Sequence, residues 1–524
     1  MYPGTYAAQF PDQPAVIMAE DGSGLTYREL DQGSIRLARY LRERGLRRGD
    51  HIALLTDNCP AAFEVYWAAL RSGLYITAVN RHLSAPEISY IVNDCGAKAL
   101  IVSARLGQVA ERISRDTPQA RIRLSYGGKV PGYEVYEDSL ASVSAEPLPE
   151  EPCGSDMLYS SGTTGQPKGI ERPLPDREIT SEPKPGEASM AVFGLLYGFG
   201  PDTVYLSPGP VYHAAPLRFC GLVHTTGGTV VLMDRFDAEA ALAAIERHRV
   251  THSQWVPTMF VRMLKLDSSV RARYDLSSLR VAIHAAAPCP VDVKRAMIDW
   301  WGPVLQEYYA STEGNGITVI DSEQWLSKPG SVGRAGLGTI RICSDPSGAE
   351  LPAGEIGTVY FERDEQPFFY HNDEAKTEQT RHPRHPNWTT TGDIGYIDSD
   401  GFLFLTDRQA FMIISGGVNI YPQEIENALA LHPRVYDVAV IGVPDPEMGE
   451  SVLAVVQPAP GAEAGPGLAG ELRDYLRERI ARYKVPRDFD FTDELPRTPT
   501  GKLVKGQLRD RYLTQPIVNP FQPG

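Results

Sequence analysis

Several features that would direct a protein of 524 residues to a membrane or to nucleic acid are missing from this sequence. No apolar run approaches the length of a membrane-spanning helix. The first residues, Met1-Tyr2-Pro3-Gly4, have neither the basic nor the apolar region of a secretory signal. The formal net charge is −15, whereas nucleic acid and anionic membrane surfaces attract basic proteins. These absences predict a cytoplasmic protein that binds no nucleic acid and has no transmembrane segment.

Cysteine is also scarce, with six residues in the chain. They are scattered without the C-x-x-C spacing of a zinc site, and they form no pattern typical of a disulfide framework. We therefore expect free thiols in a reducing compartment.

The length and the order of apolar segments predict the fold class. A chain of 524 residues is too long for one hydrophobic core. Predicted strands at 51–56, 74–79 and 97–102 alternate with predicted helices at 60–72 and after Pro86. Such alternation is typical of an α/β protein with doubly wound sheets.

The composition of the sequence and its predicted elements change towards the C-terminus. Glycine-rich turns and short β runs at 330–363 predict a small β-rich subdomain. Beyond residue 408 a compact tail contains predicted strands and a helix, separated by a predicted linker at 459–470. We expect a large N-terminal domain at 1–407 and a small α+β domain at 408–524.

A glycine-rich segment is the most informative part of the sequence. It reads Ser160-Ser161-Gly162-Thr163-Thr164-Gly165-Gln166-Pro167-Lys168. Glycine lets several backbone N–H groups face one side, while the hydroxyls and Lys168 add further donors and a positive charge. Such a segment suits a polyphosphate. Because Gly169 follows Lys168, it is not the common phosphate-binding loop, in which a Ser or Thr follows the lysine. An ordinary polar turn is the alternative.

This segment resembles the phosphate-binding signature of the adenylate-forming superfamily. The superfamily includes acyl-CoA and aryl-CoA synthetases, peptide-synthetase adenylation domains and beetle luciferases. The resemblance extends over nearly the whole chain through further motifs in the same order, and bacterial fatty-acid and steroid side-chain CoA ligases are similar. It implies a small-molecule carboxylic acid as partner, ATP, Mg²⁺ and coenzyme A as cofactors, binding of phosphates by residues 160–168, and a catalytic role for Thr163. It also implies that the domain at 1–407 binds AMP and the acyl group and that the domain at 408–524 is a mobile lid with the catalytic lysine.

A second motif is Glu307-Tyr308-Tyr309-Ala310-Ser311-Thr312-Glu313-Gly314. A carboxylate beside a hydroxyl can bind a hard cation, and an aromatic ring offers a stacking face. The resemblance implies that Tyr309 stacks on adenine, that Thr312 contacts phosphate and that Glu313 is the catalytic Mg²⁺ ligand. It also assigns Glu307 and Tyr308 to the nucleotide site and Gly314 to the substrate pocket.

Two further stretches are predicted to line the acyl pocket. In Tyr212-His213-Ala214-Ala215 the histidine, taken alone, is compatible with a core residue. The resemblance implies that Tyr212 and a catalytic His213 line the junction of the acyl pocket and the pantetheine tunnel. The two alanines offer no carboxylate for an amino-acid ammonium group, which disfavours an amino-acid substrate. In the stretch 284–288, Ala285 is assigned to the acyl pocket and Ala287 to the nucleotide site.

The C-terminal motifs complete the resemblance. It implies that Asp393 binds the ribose hydroxyls together with Arg408. Alanine occupies position 410, where the family usually has Asp or Lys as its pivot. The remaining assignments are Gly416 and Gly417 to the pantetheine arm, Lys484 to the nucleotide phosphates of coenzyme A, and Lys502 to catalysis at the acyl carboxylate.

The resemblance predicts an ATP-dependent carboxylic acid–CoA ligase. It would first form acyl-AMP and pyrophosphate, and then acyl-CoA and AMP, from a fatty, aryl or steroid side-chain acid. The alternatives are a ligase that delivers acyl-AMP to a carrier protein, a luciferase-like oxygenase, and a non-catalytic nucleotide sensor. A homodimer stays open as the assembly.

Overall fold

A computed structural model describes residues 2–160, 167–182, 189–344, 347–408, 411–416, 418–497 and 503–514. Within these ranges, no helix has both the length and the apolar character needed to cross a membrane. All six cysteines lie in the described ranges and are free thiols, as the scattered spacing predicts.

Helices occur along the whole chain. Their bounds are α1 Pro3–Gln9, α2 Tyr27–Glu43, α3 Ala61–Leu70, α4 Ala85–Asp94, α5 Gly107–Ser114, α6 Tyr136–Leu140, α7 Ser189–Leu196, α8 Ala214–Thr226, α9 Ala238–His248, α10 Pro257–Leu264, α11 Ser268–Arg271, α12 Val291–Trp301, α13 Ser322–Ser327, α14 Glu374–Gln379, α15 Pro422–Leu429, α16 Pro466–Arg477 and α17 Lys505–Thr514.

Strands alternate with helices in the first half of the chain and dominate the second half. Their bounds are β1 Pro14–Met18, β2 Gly24–Thr26, β3 His51–Leu55, β4 Tyr75–Val79, β5 Ala97–Ser103, β6 Ile122–Tyr126, β7 Glu134–Val135, β8 Ser155–Asp156, β9 Leu158–Ser160, β10 Lys168–Glu171, β11 Val204–Ser207, β12 Thr229–Leu232, β13 His252–Trp255, β14 Val281–His284, β15 Leu305–Ala310, β16 Ile317–Asp321, β17 Arg334–Leu337, β18 Thr339–Cys343, β19 Gly357–Glu362, β20 Phe369–Tyr370, β21 Arg381–His382, β22 His385–Thr389, β23 Asp393–Ile397, β24 Leu403–Arg408, β25 Ile413–Ser415, β26 Val418–Ile420, β27 Val435–Asp445, β28 Gly449–Pro458 and β29 Asp488–Phe491.

The chain divides into two compact units. The first contains Met1–Gln254, Ser268–Ala282 and Pro367–Glu378, and the second contains Trp255–Asp267, Ile283–Gln366 and Gln379–Gly524. The late segment Pro367–Glu378 therefore belongs to the same unit as the glycine-rich segment.

The first unit is built on parallel strands. One sheet has the order β7-β6-β5-β3-β4-β8, and all of its neighbouring strands are parallel. Every residue of β4 is buried, as expected for a parallel sheet covered on both faces. Strands β11, β12 and β1 form a second parallel set, with β13 beside β11 and β2 antiparallel to β1.

Local signals begin and end the helices of this unit. The Thr26 side chain accepts a hydrogen bond from the backbone of Glu29, while the Glu29 carboxylate accepts one from the Thr26 backbone. This reciprocal pair of hydrogen bonds is a capping box. Helix α8 ends at Gly227, whose φ is +82°, a conformation that glycine adopts without steric cost.

The second unit contains the β-rich part of the chain. Its antiparallel sheet has the order β21-β22-β19-β23-β24, with β18 beside β19. The predicted β-rich subdomain at 330–363 is thus confirmed, but the sheet continues to Arg408 because β22, β23 and β24 pair onto β19 and one another.

A five-stranded C-terminal sheet completes the second unit. Its order is β26-β25-β28-β27, with β29 parallel to β28. Buried leucines of α15 and α16, among them Leu429 and Leu472, pack on this sheet. Helix α16 begins at Pro466, so the predicted linker at 459–470 is too long. Proline is favoured in the first turn of a helix, where its missing N–H costs nothing.

The predicted fold class is confirmed: doubly wound α/β sheets, a small β-rich subdomain and a smaller α+β C-terminal domain are all present. The predicted boundary between residues 407 and 408 stays a prediction. It falls at the end of β24, ahead of the first strand of the C-terminal sheet, β25.

Candidate active site

The two ends of the glycine-rich segment lie side by side. Ser160 is the last residue of β9 and Lys168 the first of β10, and the two are direct partners in the antiparallel pair. The predicted phosphate-binding residues Ser161, Gly162, Thr163 and Thr164 lie outside the described residues. The strands that flank them are therefore the part of this motif that the structure describes.

The other edge of β10 pairs with a strand from the segment Pro367–Glu378 of the first unit. Strand β20 pairs with it antiparallel, so that Ile170 faces Tyr370. The Lys168 ammonium forms an ion pair with the Asp373 carboxylate. Neither residue is fully buried, with exposed side-chain fractions of 28% for Lys168 and 34% for Asp373. Lys168 thus already faces an oxygen anion, the type of group it is predicted to bind.

A second charged contact joins β10 to the residue that follows β20. His371 Nδ1 lies 2.7 Å from a carboxylate oxygen of Glu171, and this contact raises the pKa of His371 above its usual value. The other ring nitrogen lies 3.1 Å from the backbone carbonyl of Asp94, at the end of α4. The Tyr159 hydroxyl donates to the Asp94 carboxylate at 2.5 Å. These contacts fix the strands that precede and follow the glycine-rich segment.

Tyr212 and His213 lie at the start of α8. His213 is the N-cap residue of that helix, and its ring centroid is 4.6 Å from that of Tyr212. Tyr212 is buried, and burial raises the pKa of its hydroxyl. One turn further, Arg218 donates two hydrogen bonds of 2.8 and 2.7 Å to the Asp156 carboxylate. This buried pair ties α8 to β8, the strand just before β9.

The residues predicted to bind the nucleoside meet in the second unit. The Tyr309 hydroxyl donates a hydrogen bond of 2.7 Å to the Asp393 carboxylate. Thr391 donates a further bond of 2.9 Å to the same oxygen. Arg408 is the direct strand partner of Asp393 in the β23–β24 pair. Three residues far apart in sequence therefore occupy one place in the fold.

The predicted Mg²⁺ ligand lies in the turn that follows β15. Glu313 is 8% exposed, and Thr312 precedes it in the same turn. Gly314 has φ +69° and donates its N–H to the Ser311 carbonyl at 3.1 Å. Among the described residues no group of three or more His, Cys, Asp or Glu side chains is arranged to hold a metal. The role of Glu313 as a Mg²⁺ ligand stays a prediction.

Glu307 takes part in a buried ion pair that the sequence analysis missed. Its carboxylate lies 2.5 Å from the Lys294 ammonium and 3.6 Å from His284 Nε2. Burial raises the pKa of Glu307, although Lys294 opposes that shift. Burial, together with Lys294, also holds the pKa of His284 well below its usual value. Lys294 therefore pairs with Glu307 beside a neutral histidine.

This pair joins the segments that carry the other predicted pocket residues. Ala285 directly follows His284 and is buried, whereas Ala287 is exposed. Between them Ala286 has φ +77°, a strained conformation for a residue with a Cβ. Tyr308 is buried beside Glu307 on β15. The sequence did contain a signal that Lys294 is buried. Lys294 lies on the face of α12 that includes the buried Met297 and Trp301.

The C-terminal assignments are only partly covered by the described residues. Gly416 has φ +56°, a backbone conformation that favours glycine, and a Cβ there would displace the terminal methyl of Met448, which lies 2.4 Å away. Lys484 Nζ lies 2.6 Å from the Glu424 carboxylate. Gly417, Lys502 and the alanine at position 410 lie outside the described residues, and their predicted roles stay predictions.

Comparison with known proteins agrees with this architecture. Residues 5–365 match the AMP-binding enzyme family, and residues 424–502 match its C-terminal domain. A feruloyl-CoA synthase of Amycolatopsis sp is 35% identical over 505 residues, which cover 95% of this chain and 96% of that protein. The fatty acid–[acyl-carrier-protein] ligase ScoC of Streptomyces coeruleorubidus is 31% identical over 523 residues, covering 97% and 95%.

Among solved structures, that of the anthranilate CoA ligase AuaEII in complex with anthranoyl-AMP is similar, with a TM-score of 0.82 and 25% identity over 97% of this chain and 96% of that chain. The architecture and these matches define an adenylate-forming enzyme of the acid–thiol ligase class. This chain belongs to the AMP-binding enzyme family.

Proposed function

We propose that this enzyme activates a hydrophobic carboxylic acid with ATP and transfers the acyl group to coenzyme A. The first half-reaction forms acyl-AMP and releases pyrophosphate. In the second, the thiol of coenzyme A attacks the acyl carbon and AMP leaves. The observation that carries the proposal is the hydrogen bond between Tyr309 and Asp393 opposite Arg408. An aromatic face and a carboxylate suit the adenine and the vicinal diol of adenosine monophosphate.

The residues of this chain act mainly by positioning and by charge. Tyr309, Asp393 and Arg408 hold the nucleoside, while residues 160–168 bind the β- and γ-phosphates through backbone N–H groups and Lys168. Lys502 brings a positive charge to the attacking carboxylate and the α-phosphate. Preorganised charge of this kind stabilises the transition state of phosphoryl chemistry. Glu313 would hold Mg²⁺, which offsets phosphate charge.

The acid is proposed to be a fatty, aryl or steroid side-chain acid. Support for an aryl acid comes from the feruloyl-CoA synthase and the anthranilate ligase among the similar proteins. The alanines after His213 offer no charge for an amino-acid substrate. Transfer to a carrier protein instead of coenzyme A is a second candidate, because one relative is named as an acyl-carrier-protein ligase. We propose a cytoplasmic location for the reaction.

Pyrophosphate release from a panel of acids, measured with and without coenzyme A, tests the activity. Ferulate, a long-chain fatty acid and a steroid side-chain acid represent the three classes. Acyl-CoA formation with at least one of them is expected. ATP-dependent pyrophosphate release that never leads to acyl-CoA would favour the carrier-protein candidate, and no release with any acid would contradict the proposal.

The role of Lys502 is tested by separating the two half-reactions. Lys502→Ala is expected to lower the rate of acyl-AMP formation by at least about 100-fold, because it removes a charge that acts in the transition state. Conversion of supplied acyl-AMP to acyl-CoA should be largely retained. Lys129→Ala, at an exposed lysine remote from the motifs, is the control. An equal loss in both half-reactions would refute the assignment.

A further inference from the structure

Asp373 has no role in the reaction proposed above, yet it contacts a residue that does. It is the N-cap residue of α14 and lies shortly after β20, the strand that pairs with β10. Its two carboxylate oxygens have different partners. Oδ1 accepts a hydrogen bond of 2.9 Å from the Lys376 N–H at the first turn of α14, whereas Oδ2 accepts one from the Lys168 ammonium.

We propose that Asp373 is a positioning residue that occupies the Lys168 ammonium in the nucleotide-free enzyme and gives it up when the ATP phosphates bind. This inference rests on the proposed role of Lys168 as a ligand of the β- and γ-phosphates. Asp373 thereby sets the affinity for ATP without contacting it.

The geometry allows this exchange. Both side chains retain about a third of their exposure, so solvent and a ligand can reach the ammonium. The Lys376 N–H bonds to Oδ1, so the loss of Lys168 from Oδ2 leaves this capping bond in place. The Tyr370 ring, 6.0 Å from Lys168 Nζ, and the β9–β10 pairing keep the lysine in place while its partner changes.

The charges also favour the exchange. A carboxylate carries one negative charge, whereas the triphosphate of ATP carries several and presents more acceptor oxygens. Partly exposed ion pairs between single charges are worth little, up to about 1 kcal/mol in general. ATP therefore has to displace a weak contact, and removal of that contact should strengthen ATP binding by about two- to fivefold.

Asp373→Asn is the informative variant. Asparagine is as good an N-cap as aspartate, so α14 keeps its cap while the charge that holds Lys168 disappears. Calorimetric titration of the full chain with MgATP is expected to give a dissociation constant about two- to fivefold lower than that of the wild type. Binding of AMP should be unchanged, because AMP lacks the phosphates that Lys168 is proposed to bind.

A double-mutant cycle tests whether the effect passes through Lys168. Lys168→Met alone should weaken ATP binding, and adding Asp373→Asn to it should change the dissociation constant by less than about 1.5-fold. Glu171→Gln is the matched control. Glu171 lies on the same strand as Lys168, but its carboxylate contacts His371 and not Lys168. If Asp373→Asn does not fold, Asp373→Ser also provides an N-cap without a charge.

The outcomes distinguish this inference from the proposed function. If the wild type binds no ATP, or if Lys168→Met does not weaken ATP binding, the proposed role of Lys168 is wrong. If Lys168→Met weakens binding but Asp373→Asn leaves it unchanged or weaker, the positioning role of Asp373 is wrong. The positioning role would also be wrong if Asp373→Asn raised the affinity for ATP equally in the presence and absence of Lys168. The same holds if it raised the affinities for ATP and AMP equally.

Discussion

Replacing Lys294 with methionine would leave the Glu307 carboxylate buried without its counter-ion. The Lys294 side chain is fully buried, and its ammonium lies 2.5 Å from the carboxylate. His284, the other nearby base, is a poor replacement cation, because burial is the larger cause of its low pKa and remains in the variant. Removing one partner of a buried pair typically costs about 3–5 kcal/mol. We expect Lys294→Met to lower the free energy of unfolding by about that amount at pH 8.

The pH dependence of this loss follows from the sign of the pKa shift. Without Lys294, the pKa of Glu307 rises further above its ordinary value of 4.5. A carboxyl whose pKa is raised in the folded state stabilises the fold at pH values below its unfolded-state pKa. That stability is lost as the pH rises through the folded-state pKa. The variant can avoid the buried charge by taking up a proton, which costs about 1.4 kcal/mol for each pH unit above the unfolded pKa. The loss is therefore at most about 5 kcal/mol at pH 8 and about 2 kcal/mol at pH 6.

Urea denaturation followed by tryptophan fluorescence measures this change in the free energy of unfolding. Trp325 serves as a nearby reporter, since its ring lies 4.9 Å from Lys294 Nζ. The control is the double variant Lys294→Met/Glu307→Gln, which removes both charges and should recover most of the stability together with a flat pH profile. A loss below about 1 kcal/mol in the single variant, or a loss that does not change between pH 6 and pH 8, would refute the reasoning.

Two further predictions concern hydrogen bonds of the described residues. Tyr309→Phe keeps the ring but removes the bond to Asp393, so the KM for ATP should rise about three- to tenfold in a pyrophosphate assay; an unchanged KM would contradict the proposed nucleoside site. Burial raises the pKa of Glu64 to about 7, so its protonated form stabilises the fold at acidic pH and its charge becomes costly as the pH passes 7. Glu64→Gln can still accept the hydrogen bond from Tyr136. The variant should be about 2 kcal/mol more stable than the wild type at pH 8.5 but not at pH 5. If the variant and the wild type were equally stable at both pH values, the prediction would be wrong.

The local sequence was sufficient for the elements of the first unit. The capping box of Thr26 and Glu29 begins α2, and the predicted apolar strand at 97–102 is buried as β5. These features depend on residues within a few positions of one another, and local hydrogen bonds and side-chain periodicity decide them. The order of the motifs likewise sufficed to identify the family.

Only the tertiary structure revealed which side chains meet. Asp373 is 205 residues from Lys168 in sequence, and nothing near either residue predicts that β20 pairs with β10. Lys294 and Glu307 are 13 residues apart, yet they meet because α12 packs on β15, which no local signal encodes. The sequence by itself determined the elements, the motifs and the family, because these depend on neighbouring residues and on their order. Strand pairing and burial decided the partners of Lys168 and Glu307, because long-range contacts are set by the packing of the whole unit.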